Sequence, residues 1–325
     1  MTRVWQCPYE YLETLLQIAS CQPSAATRSR LRALGGARTV WSVGRERELR
    51  IRANGVDFAY LESGRGKLVI LAHGFPDTAH TWDWLRPRIA ERGYRVVAPF
   101  MRGYYPTEIP KDGAYDSDTL GRDLIGLIEA FGEEQAILVG HDWGASAAYS
   151  AAGLVPERVS RLITTAVPHP GAIQPSLKLL WRVRHFFSLS TSGAPARVAQ
   201  NDFAEIDELV QRWSPTWSVP RGEFAEVKEA FRQPGCLDAA LGYYRALSPL
   251  PPKGHRRPIE VPSVGIAGAD DPILEPFRFH QAARMFRAGY RVLYVPGGHL
   301  AHRVHPEAFL AALNRALDWT PGQLD

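Results

Sequence analysis

Short apolar runs recur along this chain and alternate with stretches of helical periodicity. Residues 68–72 form a continuous apolar run, as expected for a strand that is buried on both faces of a parallel sheet. Later runs of the same character are residues 95–98, 136–139, 162–167, 263–267 and 291–295. Alternation of strands and helices predicts a mostly parallel, doubly wound α/β sheet.

Two local patterns sharpen this prediction. Residues 49–52 alternate like a strand, Asn54-Gly55 is a tight-hairpin signal, and residues 56–61 continue as the partner strand. Residues 118–131 have helical periodicity, and either Asp116 or Ser117 is suited to cap the start of the helix. The apolar face of this helix consists of Leu120, Leu124, Leu127, Ile128 and Phe131.

The alternation stops at residues 169–249, which are helical in pattern and rich in aromatic residues. Strand patterns resume at Val261. We therefore predict a helical cap at 169–249, inserted into an α/β core of residues 46–168 and 250–325. Residues 1–45 have no strong strand pattern and are predicted to be an N-terminal extension.

The composition is that of an ordinary globular protein, with 325 residues, 45% of them hydrophobic and 22% charged. The three cysteines, Cys7, Cys21 and Cys236, form no C-x-x-C pair. This argues against a disulfide framework and against a zinc site. We expect a cytoplasmic protein without a bound metal.

The net charge is +4 and the basic residues are scattered, which argues against nucleic-acid binding. No apolar run is long enough to span a membrane. Residues 18–21 have the form of a lipoprotein cleavage site, but Glu10 and Glu13 fall where its apolar region should be. A short amphipathic helix with Tyr9, Leu12 and Leu16 on one face is the simpler prediction.

Residues 137–145 combine a buried strand with a G-x-D-x-G turn. In the related G-x-S-x-G elbow, the nucleophile lies on a strained strand-to-helix turn, flanked by glycines because side chains there would clash. Asp142 occupies the place of the nucleophile. The alternative is that Asp142 only caps the following helix, but the strand and both glycines favour the nucleophile.

The motif GHDWG at residues 140–144, together with HGFPD at residues 73–77, resembles the α/β-hydrolase-fold epoxide hydrolases and the related haloalkane dehalogenases. The resemblance covers residues 46–317 and implies an α/β-hydrolase fold. A carboxylate nucleophile that attacks an ester would give a labile anhydride. Displacement at an sp³ carbon instead gives an ordinary alkyl ester, so Asp142 points to epoxides or alkyl halides.

The chain order of this fold is nucleophile, acid, histidine. The resemblance implies that the acid is Asp271, three residues after the glycine that ends the strand pattern at 263–267, with Asp270 as the alternative. The base is His299, which follows the strand pattern at 291–295. His302 and His305 are rival bases, although exposed helix or loop histidines explain them more simply.

The resemblance also implies donors for the reaction. The backbone N–H groups of Phe75 and Trp143 would form the oxyanion hole. The motif GYYRAL at residues 242–247 resembles the cap helix of epoxide hydrolases and makes Tyr244 the proton donor, the alternative being a packed cap tyrosine. Most such enzymes have a second tyrosine, but Val183 stands at that place and His185 is an alternative donor nearby.

We therefore predict an epoxide hydrolase that converts a neutral, apolar epoxide to a vicinal diol without a cofactor, as a monomer or homodimer. Trp143, Phe75, His185 and Val183 are the predicted substrate-binding residues. A haloalkane or haloacid dehalogenase is the alternative, but Phe75 replaces a halide-binding Asn and Trp143 replaces a carboxylate-binding Arg. A non-catalytic binding protein is the remaining alternative, although all three catalytic positions are filled.

Overall fold

Eight strands form a single sheet in the part of the chain that the computed structural model describes, residues 48–174 and 176–322. The strands are β1 (Leu49–Ala53), β2 (Val56–Ser63), β3 (Lys67–Ala72), β4 (Tyr94–Pro99), β5 (Ala136–His141), β6 (Val159–Thr165), β7 (Ser263–Gly268) and β8 (Tyr290–Val295). Their order across the sheet is β1-β2-β4-β3-β5-β6-β7-β8. All neighbours from β4 to β8 are parallel, whereas β1 and β2 are antiparallel at one edge.

The central strands are apolar because helices cover both faces of the sheet. Every residue of β5 and β7 is buried, and β3 is buried except at Lys67. The predicted hairpin is confirmed, with Asn54 and Gly55 at φ values of 43° and 79° in the turn between β1 and β2. Strand β6 begins and ends earlier than predicted: the apolar run suggested residues 162–167, whereas the strand spans Val159–Thr165. This strand ends at Thr165 because Ala166 has a φ of 67°, which breaks the extended ladder.

Thirteen α-helices lie in the described residues, together with short 3₁₀ turns. The helices are α1 (Leu85–Ala90), α2 (Ser117–Ala130), α3 (Trp143–Leu154), α4 (Leu177–Arg182), α5 (His185–Ser190), α6 (Ala194–Val198), α7 (Gln200–Trp213), α8 (Ala225–Arg232), α9 (Cys236–Arg245), α10 (Lys253–Arg256), α11 (Phe277–Gln281), α12 (Ala301–Val304) and α13 (Pro306–Asp318). The 3₁₀ turns are Ala79–Trp82, Pro156–Arg158, Pro170–Ala172 and Ala282–Met285. Helices α4 to α9 all fall within residues 169–249, which we call the cap.

Helix α2 shows how the sequence directs packing. The Asp116 carboxylate accepts hydrogen bonds from the N–H groups of Asp118 and Thr119, which closes the first turn. The apolar face of α2 is buried and packs beside α3. The carboxyl ends of the parallel strands meet at one edge of the sheet, where open α/β sheets bind their ligands. The predicted extension at 1–45 lies outside the described residues.

Candidate active site

Asp142 lies on a sharp turn between the last residue of β5 and the first residue of α3. Its backbone has φ 51° and ψ −115°, a strained conformation for a residue with a side chain. The flanking glycines are required by close packing. A Cβ on Gly140 would lie 2.4 Å from the carbonyl oxygen of Gly144, and one on Gly144 would lie 2.2 Å from that of Ala72. The turn therefore projects the carboxylate from the edge of the sheet.

His299 lies between two carboxylates. Its Nε2 is 3.5 Å from Oδ2 of Asp142, and its Nδ1 is 2.9 Å from Oδ2 of Asp271. The other oxygen of Asp271 accepts the N–H groups of Ile273 and Leu274 at 2.8 and 3.3 Å. Asp271 is thus held in place by the backbone, and it orients the imidazole toward Asp142.

The charges of this group are strongly coupled. Burial opposes a charged imidazole, but the carboxylates of Asp271 and Asp142 outweigh burial and raise the pKa of His299 to about 10. Burial likewise opposes ionisation of Asp142, yet His299 and the N–H of Phe75 lower the pKa of this carboxyl below its usual value. The resting site therefore holds a carboxylate beside an imidazolium. Esterification of Asp142 would remove one supporting charge and lower the pKa of His299.

The predicted oxyanion-hole residues, Phe75 and Trp143, both lie next to Asp142. The N–H of Phe75 donates to Oδ1 of Asp142 at 2.9 Å. Trp143 is the first residue of α3, and N–H groups in a first helical turn have no partner within the helix. A Cβ on Gly74 would lie 2.4 Å from Oδ1 of Asp142, so a larger residue there would fill this cradle.

Tyr244 is buried in the cap next to these groups. Its ring meets the rings of Phe75 and Trp143 edge-on, at centroid distances of 5.4 and 5.2 Å. Burial, together with the nearby Asp142 carboxylate, raises the pKa of Tyr244 well above its ordinary value, so the phenol keeps its proton. The adjacent Tyr243 is already engaged, because its hydroxyl donates to the carbonyl of Arg102 at 2.9 Å.

His185 is buried where the cap faces the reacting residues. Its ring lies 4.9 Å from that of Trp213 and 6.2 Å from that of Tyr244. Burial, with the charge of Arg212, lowers the pKa of His185 to about 3. A neutral imidazole carries one N–H, so His185 can donate a hydrogen bond without being an acid at neutral pH. Val183 is half-buried on the same wall.

A cavity of about 540 Å³ opens at these residues. Five of the predicted site residues line it, namely Asp142, Trp143, Val183, His185 and His299. Tyr244 packs against three lining side chains, those of Trp143, His185 and Phe186. A wider cleft of about 990 Å³ on the cap contains none of the predicted site residues. Asp142 and His299 thus face one cavity, whereas Phe75, Asp271 and Tyr244 lie behind its wall and do not line it.

The structure separates the candidates that the sequence left open. Asp270 is exposed, whereas Asp271 is buried and bonds to His299. His305 is exposed as expected, but His302 is not. His302 is packed against the rings of Trp82 and His141, and its Nε2 lies 2.7 Å from the hydroxyl of Thr81, so the expectation of an exposed histidine was wrong there.

Sequence reasoning missed the role of Trp213 at the end of α7. Its carbonyl accepts the N–H of His299 at 3.0 Å, and its ring packs 5.3 Å from the imidazole. The sequence shows Trp213 only as part of the aromatic-rich stretch at 169–249. Its position beside the base depends on how the cap folds over the core, and no local motif signals this.

The sheet, the strained turn at Asp142 and the hydrogen-bonded His299–Asp271 pair match the arrangement of the α/β-hydrolase fold. The sequence profile of the alpha/beta hydrolase fold matches residues 67–306. Epoxide hydrolase A of Mycobacterium tuberculosis is 30% identical over 314 residues, covering 83% of this chain and 97% of that protein. The chain therefore belongs to the α/β-hydrolase-fold epoxide hydrolase family.

Two further comparisons agree with the α/β-hydrolase fold. The AB hydrolase superfamily protein YfhM of Bacillus subtilis is 34% identical over 205 residues, covering 61% of this chain and 72% of that protein. A Bacillus megaterium epoxide hydrolase, solved in complex with an inhibitor, shares the fold with a TM-score of 0.74. It is 23% identical, and the match covers 83% of this chain and 100% of that chain.

Among the described residues, no helix has the length and apolar character needed to cross a membrane.

Proposed function

We propose that the protein hydrolyses neutral, largely apolar epoxides to vicinal diols in two steps. In the first step, the Asp142 carboxylate attacks an oxirane carbon and the C–O bond breaks. The departing oxygen takes a proton from Tyr244, and an alkyl ester forms on Asp142. The imidazolium of His299, which has lost the neighbouring charge of Asp142, then reprotonates the Tyr244 phenolate.

In the second step, neutral His299 takes a proton from water, which attacks the ester carbonyl. The N–H groups of Phe75 and Trp143 stabilise the resulting oxyanion. Collapse of this intermediate expels the second alcohol oxygen of the diol, which takes the proton from His299. The Asp142 carboxyl then returns a proton to His299, so the resting pair is restored.

The observation that carries this proposal is the position of Asp142, bonded to the N–H of Phe75 and facing the His299–Asp271 pair. Tyr244 adds the acid that epoxide opening requires, because an alkoxide is a poor leaving group. The family relationship and the relatives named as epoxide hydrolases support the same reaction.

The residues of this site fit dehalogenation of haloalkanes or haloacids, and a non-catalytic role, less well than epoxide hydrolysis. A halide leaves as a stable anion and needs no acid, so Tyr244 would be superfluous in a dehalogenase. The apolar side chain of Phe75 offers no halide donor, and Trp143 offers no cation for a small carboxylate substrate. A non-catalytic role leaves unexplained why the nucleophile, base and acid are all in bonding distance.

We further propose that the enzyme acts on its small-molecule substrate in the cytoplasm, as a monomer or homodimer, without cofactor or nucleic acid. Cys236 is free and buried, which suits a reducing compartment. Burial raises the pKa of the Cys236 thiol to about 11, so it carries little thiolate at neutral pH.

A substrate panel tests the reaction class. Purified protein should convert styrene oxide and 1,2-epoxyhexane to diols, with little turnover of 1-bromobutane or fluoroacetate, as followed by gas chromatography. Asp142→Ala should remove the activity while keeping the circular dichroism spectrum of the wild type. Turnover of the halides without turnover of any epoxide would show that the epoxide proposal is wrong.

A further inference from the structure

The catalytic cavity has a second, polar end that the proposed mechanism does not use. Ser117, Ser146 and His255 line the cavity there, and all three side chains are buried. Ser146 follows Asp142 by one turn of α3, since its N–H donates to the Asp142 carbonyl at 3.1 Å. One helical turn rises about 5.4 Å, so a substituent on an epoxide held at Asp142 would reach this end.

The two serine hydroxyls are hydrogen-bonded to each other, and His255 is hydrogen-bonded to the backbone of Ser146. Nε2 of His255 is 2.8 Å from the carbonyl oxygen of Ser146, which only accepts, so Nε2 carries the hydrogen. The same nitrogen lies 3.5 Å from the hydroxyl of Ser146, and the hydroxyls of Ser117 and Ser146 are 2.9 Å apart. Each serine hydroxyl carries one hydrogen, but the hydrogen bond between Ser117 and Ser146 uses only one of these two hydrogens. The other has no acceptor among these three residues.

Two carboxylates line the same end but have no capacity to donate. Asp116 accepts the N–H groups of Asp118 and Thr119 and the hydroxyl of Thr119. Asp118 accepts the N–H groups of Lys253 and Gly254 at 2.7 and 2.9 Å. Lys253 and Arg256 also line the cavity but are exposed, whereas Asp118 is buried, so the buried charge at this end is negative and disfavours an anionic substituent. The unused chemistry at this end is therefore a hydroxyl hydrogen that suits a neutral acceptor.

We propose that Ser117, Ser146 and His255 form a polar subsite that binds a neutral oxygen acceptor, such as a ketone or ether oxygen, on the epoxide substrate. The acceptor would lie roughly four to five bonds from the attacked carbon, as one helical turn from Asp142 requires. The subsite rests on the proposed function. A polar group elsewhere in the cavity would meet mainly apolar side chains such as Leu179 and Phe186 and would lose its hydration without a partner.

A pair of isosteric epoxides tests the subsite. In 5,6-epoxyhexan-2-one the ketone oxygen stands at the required spacing, and in 1,2-epoxy-5-methylhexane a methyl group replaces it. The measured quantity is the ratio of kcat/KM for the ketone to kcat/KM for the alkane. Ser146→Ala should lower this ratio about fivefold to tenfold, the usual effect of one lost hydrogen bond. Ser117→Ala should lower the ratio as well, because it breaks the same hydroxyl pair.

Ser150→Ala is the matched control, since Ser150 is a buried serine one turn further along α3 whose hydroxyl donates to Asp118 at 3.0 Å. It should leave the ratio at the wild-type value. If the wild type hydrolyses both epoxides and the ratio is the same in all four proteins, the subsite is wrong and the proposed function stands. If the wild type hydrolyses neither epoxide, nor those of the panel above, the proposed function fails and the subsite with it.

Discussion

Two adjacent tyrosines of α9 illustrate how the surroundings of a residue decide its role. The hydroxyl of Tyr243 is used in a bond to the backbone of Arg102. Tyr244 packs beside Trp143, and its pKa is raised by burial and by Asp142. A phenol with a raised pKa remains protonated at neutral pH and can therefore serve as a general acid. Of the two tyrosines of α9, Tyr244 is the one that combines this state with a position beside Phe75 and Trp143.

Tyr244→Phe should reduce epoxide turnover by about 10² to 10⁴, the usual contribution of a general acid. Steady-state kinetics with styrene oxide measures this loss. Tyr243→Phe is the matched control, because it removes a buried hydrogen bond without removing the acid. This control should lower the free energy of unfolding by about 1 kcal/mol and keep most of the activity. Unchanged epoxide rates in Tyr244→Phe would place the donor elsewhere, and His185 would be the next residue to replace.

At the scale of elements, the C-terminal end of α7 is joined directly to the loop that carries the base. The N–H of His299 donates to the carbonyl of Trp213 at 3.0 Å, and the N–H of Leu300 donates to the hydroxyl of Ser214 at 3.2 Å. A Cβ on Gly298 would lie 2.6 Å from the Trp213 carbonyl oxygen. The cap therefore helps to position the base as well as enclosing the substrate.

Ser214→Ala should slow hydrolysis of the ester more than its formation, because it loosens the loop of His299 without touching Asp142. Intact-mass spectrometry of Ser214→Ala during turnover should show the mass of the protein plus that of the bound substrate, which is the ester. The same added mass is expected for His299→Gln. Ser263→Ala is the control, since Ser263 is a buried serine whose hydroxyl donates to the carbonyl of Val261 at 2.8 Å. If Ser214→Ala is less stable but accumulates no more ester than this control, the contact is structural only.

For the whole molecule, buried histidines make stability depend on pH in two directions. Burial lowers the pKa of His73 to about 4 and those of His141, His169 and His185 to about 3. The unfolded chain binds these protons below pH of about 6.5, so stability is lost as the pH falls through that value. His299, with its pKa raised to about 10, contributes stability that is present below about 6.5 and lost as the pH rises toward 10.

The urea midpoint should therefore be highest near pH 7 and lower at both pH 5 and pH 9. Each group that differs by one proton between the folded and unfolded states changes stability by about 1.4 kcal/mol per pH unit. His169→Asn should reduce the loss at pH 5, since an amide oxygen can replace Nδ1 as the acceptor for Gly171. His299→Gln should reduce the loss at pH 9. Equal midpoints at pH 5 and pH 7 would contradict this account.

The parts of the molecule that sequence patterns could predict are those with local signals. Asp142 follows a buried apolar strand and is flanked by glycines, so both its turn and its exposure at the sheet edge have a local cause. His299 and Asp271 also follow strands, and parallel strands bring their carboxyl ends together. The pairing of Asp271 rather than Asp270 with His299 depends on side-chain direction, which the structure supplies.

No local sequence pattern predicted the contacts between the cap and the core. Trp213 and Ser214 are distant in sequence from His299, and their bonds to its loop arise only when the helices of the cap pack. The polar end of the cavity also lacks a local signal, because Ser146 belongs to α3 and His255 to α10, two core helices that are distant in sequence and meet only in the folded protein. Such sites depend on tertiary packing, which periodicity and short motifs do not describe.

The covalent role of Asp142 is the central claim, and a single turnover in heavy-oxygen water tests it most directly. Enzyme in excess over epoxide should give a first diol whose new oxygen comes from the Asp142 carboxylate and carries no solvent label. The peptide containing Asp142 should then gain the label, as measured by mass spectrometry after proteolysis. A first diol labelled at the solvent ratio, with an unlabelled peptide, would mean that water attacks the epoxide directly and that no ester forms.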